Sequence, residues 1–169
     1  IANRAALRLD EAWLGSFFGQ TRGPEELRDI EAEMSGALAY ERVTGSDAFV
    51  LQTTLTRLRF AALKNDFSTA LNSASAAETP ATQESQSMVR TKTILKAWLS
   101  FKALGQLPVP KDFYASAEDE IRSLDKDDAA VSWVLMSELA LALGDKSRGK
   151  KYAGQASAAR DAWDESRIQ

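Results

Sequence analysis

Apolar residues recur along the chain at spacings of three and four, and strand-like alternation is nearly absent, so helical periodicity dominates. Leu7, Trp13, Leu14, Phe17 and Phe18 form the first apolar stripe and predict a helix over about Asn3 to Phe18, broken by Gly19 and Gly23. Pro24 suits a first helical position because its φ is preset and its missing N–H would have had no partner there; Glu25 and Glu26 then favour the positive end of the helix dipole. That second helix runs to about Val43 through Leu27, Ile30, Met34 and Leu38, and Gly45 stops it. Ser46 caps a third helix carrying Phe49, Val50, Leu55, Leu58, Ala61 and Ala62. Asn65-Asp66 predicts a turn, with Asp66 as the cap of a fourth helix that continues through Ala77.

Pro80 and the polar run ATQESQS predict a loop. A fifth helix spans about Ser87 to Leu104, with Met88, Ile94, Leu95, Trp98 and Phe101 inward. GQLPVPKD reads as an extended link, and Pro110 opens a sixth helix to about Leu124. The seventh, about Asp127 to Leu143, carries Trp133, Met136, Leu139 and Ala140; the eighth, about Lys146 to Arg167, carries Tyr152, Ala156, Ala159 and Trp163. The expected fold is therefore all-α: eight antiparallel helices in four hairpins, about 3–43, 46–78, 87–124 and 127–167, within one domain over 1–169. Turns at Asn65, Gly105 and Gly144 are 40 and 39 residues apart, the regular spacing of an α-solenoid. An alanine-rich bundle without solenoid curvature is the competing architecture.

Trp133 to Ala156 resembles a tetratricopeptide repeat: Trp133, Ser137, Ala140, Gly144-Asp145, Gly149 and Ala156 fall in the order of that family's aromatic, small and turn positions. Small residues let paired helices approach closely, Gly ends the first helix and Asp caps the second. Phe60 to Ala77 repeats the theme, with Asn65-Asp66 in place of Gly-Asp and with Phe67, Ala70 and Ala77 following. The hairpin around Gly105 departs from it through LPVP and through the bulk of Trp98 and Phe101, and the first hairpin matches only in outline. The period of about 40 also exceeds the family's usual 34 or so.

In that family a groove is lined mainly by the first helix of each hairpin. Carried over position by position, the resemblance implies Gln52, Leu55, Arg59 and Ala62 from the third helix. It implies Lys92, Leu95, Lys96, Leu99 and Lys102 from the fifth, and Val131, Val134, Glu138 and Leu141 from the seventh. Lys92 and Lys96, one turn apart, with Arg59 facing them, would make a basic patch. The asparagines with which some family members complete a clamp for a peptide's terminal carboxylate are missing. Ordinary solvated lysines are the simpler account of the same residues.

Composition narrows the chemistry. The chain has 169 residues, 44% apolar and 27% charged, as a globular protein does, and a net charge of −3 argues against binding nucleic acid through its phosphates. No apolar run reaches the length of a membrane span. There is no cysteine and no histidine, which removes disulfides, thiolate nucleophiles, imidazole bases and the usual zinc ligands. The acids of LDKDD, Asp125, Asp127 and Asp128, lack the Gly and Glu that an EF-hand loop needs, and read as caps of the seventh helix. SRGK, Ser147 to Lys150, lacks the companion motifs of serine-acylated enzymes. Glu31 and Glu33, two apart, do not share a helix face, and Glu118, Asp119 and Glu120 read as a solvated face.

No metal or cofactor is implied. The expected function is a non-catalytic adaptor that binds a partner protein or extended peptide within a larger assembly, with homo- or hetero-oligomers open. Two alternatives stand beside it: an all-α enzyme working through carboxylate, serine or lysine, and a capping or regulatory piece of a longer solenoid. The start at Ile1, together with how often bacterial repeat proteins of this size are exported, favours a periplasmic or outer-membrane lipoprotein over a cytoplasmic protein.

Overall fold

The computed structural model describes residues 2–20, 22–44, 57–76, 86–105, 112–124 and 126–168, and the regular structure among them is entirely helical. The helices are α1 (Ala2–Phe17), α2 (Pro24–Thr44), α3 (57–63), α4 (Phe67–Ala76), α5 (Gln86–Leu104), α6 (Phe113–Ile121), α7 (Lys126–Ala142) and α8 (Lys146–Ile168). The expected start of α3, at Ser46, lies outside the described residues. The sixth helix differs from expectation: it begins at Phe113, three residues beyond Pro110, and ends at Ile121, where the Arg122 N–H closes the last turn on the Glu118 and Glu120 carbonyls.

Four helices end the same way, and the cause is local. Gly19, Asn65, Gly105 and Gly144 all have positive φ, between 61° and 81°, just past α1, α3, α5 and α7. Glycine adopts that conformation without a steric cost, and asparagine is among the few others that tolerate it. In three cases the next residue donates its N–H back across the turn: Gln20 to the Gly15 carbonyl, Asp66 to Ala61 and Asp145 to Ala140, each at 2.9 Å. These are Schellman closures, which satisfy carbonyls that the helix end would leave without a donor. After two of them an aspartate starts the next helix. Asp66 Oδ1 accepts the Thr69 N–H at 3.2 Å, and Asp145 Oδ1 accepts the Arg148 N–H at 2.9 Å.

The chain forms two compact units, Ile1–Pro80 and Ala81–Gln169. In the first, Leu9 and Ala12 of α1, Ile30 and Met34 of α2 and Phe60 of α3 make one core cluster, flanked by Leu27 and Leu63. The spacings Leu9–Ala12–Trp13 and Ile30–Met34 put each set on one helix face. Arg8 ties α1 to α2 through Glu33 at 2.7 Å. Of the apolar residues expected in α1, Trp13 and Leu14 are buried, whereas Phe17 and Phe18 are half-buried. Leu9, which the expected stripe omitted, is fully buried.

In the second unit α7 is central. Ala130, Val131, Ser132, Trp133, Leu135, Met136, Ser137, Leu139 and Ala140 are all buried, which leaves little of its circumference open. A helix apolar on nearly every side belongs inside. Its largest contact is with α8, and α5 and α6 pack on other sides. The α7–α8 pairings step outward from Gly144. Ser137 Oγ donates to the Gly149 carbonyl at 2.8 Å, Trp133 stacks on Tyr152 at 5.4 Å, and Lys126 Nζ reaches the Ala162 carbonyl at 3.3 Å.

Candidate functional site

The residues expected to line a groove divide between the two units. Gln52 and Leu55 lie outside the described residues, as does the side chain of Lys92. Arg59 is half-buried on α3 of the first unit. In the second unit Lys96 and Val134 are half-buried on α5 and α7. Four further positions carried over from the resemblance do not line an open surface: Ala62, Leu95, Leu99 and Val131 are buried. For Leu95, Leu99 and Val131 the reason is that α5 is packed against both α6 and α7, which consumes the faces the transfer treated as open. Leu141 is exposed and lies over Gly149, where an added Cβ would meet its side chain at 2.6 Å.

Lys102 and Glu138 are brought together, and a third residue joins them. The indole N–H of Trp98 donates to Glu138 Oε2 at 2.7 Å, Lys102 Nζ stands 3.6 Å from the same oxygen, and Lys102 also sits 5.4 Å over the Trp98 ring. Trp98 is only 3% exposed, so it is core with its one polar atom satisfied rather than a platform for a ligand. The carboxylate of Glu138 is already committed within the fold, and Lys102 is partly neutralised. Among the expected basic residues with described side chains in this unit, Lys96 remains without an ion pair to a described residue.

A richer polar cluster lies between α6 and α8, where Glu118 was expected on a solvated face. Glu118 Oε1 accepts the Tyr152 hydroxyl at 2.7 Å and Lys151 Nζ at 3.0 Å, with Arg122 at 3.6 Å. Its side chain is 17% exposed, against 77% for its neighbour Asp119. One turn back, Tyr114 stacks on Tyr152 at 6.1 Å, and the Arg148 guanidinium lies 4.5 Å over the Tyr114 ring while pairing with Asp145 at 2.9 Å. Tyr114 and Trp133 thus sit on either side of Tyr152.

The electrostatics follow from those contacts. The Tyr152 hydrogen bond, aided by Lys151 and Arg122 against partial burial, holds the Glu118 carboxyl below its ordinary range. Burial, then the bond to Glu118, pushes the Tyr152 phenol well above its ordinary value. Burial raises Tyr114 too, with Arg148 opposing. No signal in the local sequence marks Glu118, because its partner is 34 residues away on another helix. The cluster pairs each carboxylate with a cation, and all the shifts strengthen the resting protonation states, while the Tyr114 hydroxyl finds no hydrogen-bond partner among the described residues. The cluster fastens α6 to α8 and does not resemble a poised acid–base pair.

In the first unit, α2 and α3 border an open cleft of about 290 Å³. Met34, Phe60 and Ala61 form its floor, and Glu31, Arg57, Lys64 and Asp66 stand around it. Among the described residues no group of three or more acidic side chains is placed to hold a metal ion, and no helix is long and apolar enough to cross a membrane. No protein-family model, curated protein or solved structure matches the chain.

Proposed function

We propose that this chain is a non-catalytic, tetratricopeptide-like adaptor, a stack of antiparallel helical hairpins that binds a partner protein or extended peptide as part of a larger assembly. The observation that carries the reading is the recurring left-handed turn. Asn65, Gly105 and Gly144 repeat one helix-ending geometry at intervals of 40 and 39 residues, and an aspartate cap follows two of them. Trp98 of α5 also donates to Glu138 of α7, which joins the two helices that precede the Gly105 and Gly144 turns. Chains built of such modules bury their cores between neighbours and present a long surface with little enclosed volume, which suits recognition better than catalysis.

The test is affinity capture with the native chain beside an Arg59→Glu/Lys92→Glu/Lys96→Glu variant, with mass spectrometry of the retained proteins. The expected result is a specific partner that the native chain retains and the variant loses. Retention by both would move the binding surface away from these cations. A native chain that retains nothing above background would remove the adaptor reading.

A further inference from the structure

We propose that the α2–α3 cleft of the first unit docks a short extended segment of a partner, with an aliphatic residue on the cleft floor and an acidic residue two positions away on Arg57. This names a subsite and a partner chemistry for the adaptor function, and it rests on that reading. Four observations build it.

The first is shape. On α3, Arg57, Phe60, Ala61 and Lys64 lie at spacings of three, four and seven and so share one face, which meets Glu31 and Met34 of α2. Along that face Arg57 and Lys64 are about 10 Å apart at roughly 1.5 Å of helix rise per residue. A cleft of about 290 Å³ is at the small end for a binding site, room for one side chain and its neighbours rather than a cofactor.

The second is the floor. Met34 and Phe60 are buried to 5% and 7% exposure, and both belong to the core cluster, so the floor is fixed and apolar. A methionine thioether beside a phenylalanine ring adapts to branched aliphatic groups.

The third is charge. Three of the four ionic groups around the cleft are occupied. Asp66 caps α4 through the Thr69 N–H. Lys64 pairs with Glu31 at 3.5 Å and lies 5.3 Å over the Phe60 ring. Arg57 makes no ion pair with any described residue, and it is exposed. The charge left for a ligand is therefore a guanidinium, whose fork of donors matches a carboxylate.

The fourth is register. Residues i and i+2 of an extended chain face the same side roughly 6.5–7 Å apart. Phe60 and Arg57 are one helical turn apart, about 5 Å of rise, and the arginine side chain supplies the remaining reach. An aliphatic residue and an acid at i and i+2 therefore fit the floor and Arg57 together.

The experiment is nuclear magnetic resonance titration of the full chain with three acetylated, amidated peptides: Gly-Leu-Ser-Glu-Gly, the same with Gln for Glu, and the same with Ser for Leu. The first should shift the amides of α2 and α3, with a dissociation constant near 1 mM, the scale expected of so few contacts. Each altered peptide should bind about tenfold more weakly, as should the native peptide to an Arg57→Glu variant, since each change removes one main contact. Lys150→Glu, exposed on α8 of the other unit, should leave the titration unchanged. Equal shifts from the Glu and Gln peptides, shifts confined to α5–α8, or an Arg57→Glu variant that binds like the native chain would each overturn the proposal. So would no shift at all. None of these outcomes touches the adaptor reading, which falls only if the capture experiment above finds no partner. Arg57 is exposed, so the variant should keep the native helical circular dichroism; if it does not, Arg57→Gln serves in its place.

Discussion

Tyr152→Phe and Tyr114→Phe are the same chemical change made on two stacked rings, and they should move stability in opposite directions. The Tyr152 hydroxyl donates to Glu118 Oε1 at 2.7 Å. A bond to a charged group contributes about 1.5–3 kcal/mol, and removing it strips a partner from a carboxylate that is partly buried. Glu118 keeps Lys151 at 3.0 Å and Arg122 at 3.6 Å, which places the loss at the low end, about 1.5 kcal/mol. The Tyr114 hydroxyl oxygen is buried and has no hydrogen-bond partner among the described residues. Its removal forfeits nothing and relieves a desolvated group, so Tyr114→Phe should lie between neutral and about 1 kcal/mol stabilising.

Acid dependence separates a lost bond from lost packing. The folded-state pKa of Glu118 is lowered, so its contribution is complete above the ordinary carboxylate range and is lost as pH falls toward the folded value. Tyr152 is the largest cause of that shift, so Tyr152→Phe should flatten the acid limb of stability, whereas Tyr114→Phe should leave it intact. Urea unfolding followed by circular dichroism from pH 3 to 7 reads both effects. Equal losses from the two substitutions, or an unchanged acid limb in Tyr152→Phe, would refute the assignment of the hydrogen bond.

Gly144→Ala should cost about 1–2 kcal/mol, because φ of 81° disfavours any Cβ, while Gly154→Ala in the open interior of α8 should stabilise by about 0.5–1 kcal/mol; urea midpoints read both. Glu138→Gln keeps an acceptor for the Trp98 N–H and should cost less than about 1 kcal/mol. Glu138→Ala removes that acceptor and should cost about 1–3 kcal/mol in the same assay. Ser132 is fully buried with no partner for its Oγ among the described residues, so Ser132→Ala should raise the thermal midpoint or leave it unchanged.

What could be read directly from the sequence was whatever is decided within a few residues. The turns at Asn65, Gly105 and Gly144 were legible because a left-handed residue after a helix admits few side chains, and the Asp66 and Asp145 caps because an aspartate three before an N–H has one obvious use. The core of α7 was legible as a stripe of Trp133, Met136, Leu139 and Ala140, but not as a helix enclosed on further sides by Val131, Ser132 and Leu135. That depends on α5 and α6 arriving from elsewhere in the chain. Glu118 was misread for the same reason. Flanked by Asp119 and Glu120 it has the local pattern of a solvated acid, and only the placement of α8 supplies Tyr152 and Lys151. Transferring groove positions by their place in a repeat failed at Leu95, Leu99 and Val131, because such a transfer carries register along a helix but not which faces its neighbours cover.

The enclosure of α7 has a consequence for how the second unit opens. A helix sheathed by three others has amides that water reaches only when those others have left, so α7 should exchange its backbone hydrogens last and at a rate set by the opening of the whole unit. The outer side of α8, with Lys150, Ala153, Gly154 and Ser157 in solvent, borders nothing that must move first and should exchange through small local fluctuations. The two helices of the Gly144 turn would then differ widely in protection although only three residues, one of them in left-handed geometry, join them. The unit would come apart from its outer helices inward, with α7 holding its structure until the final, cooperative step.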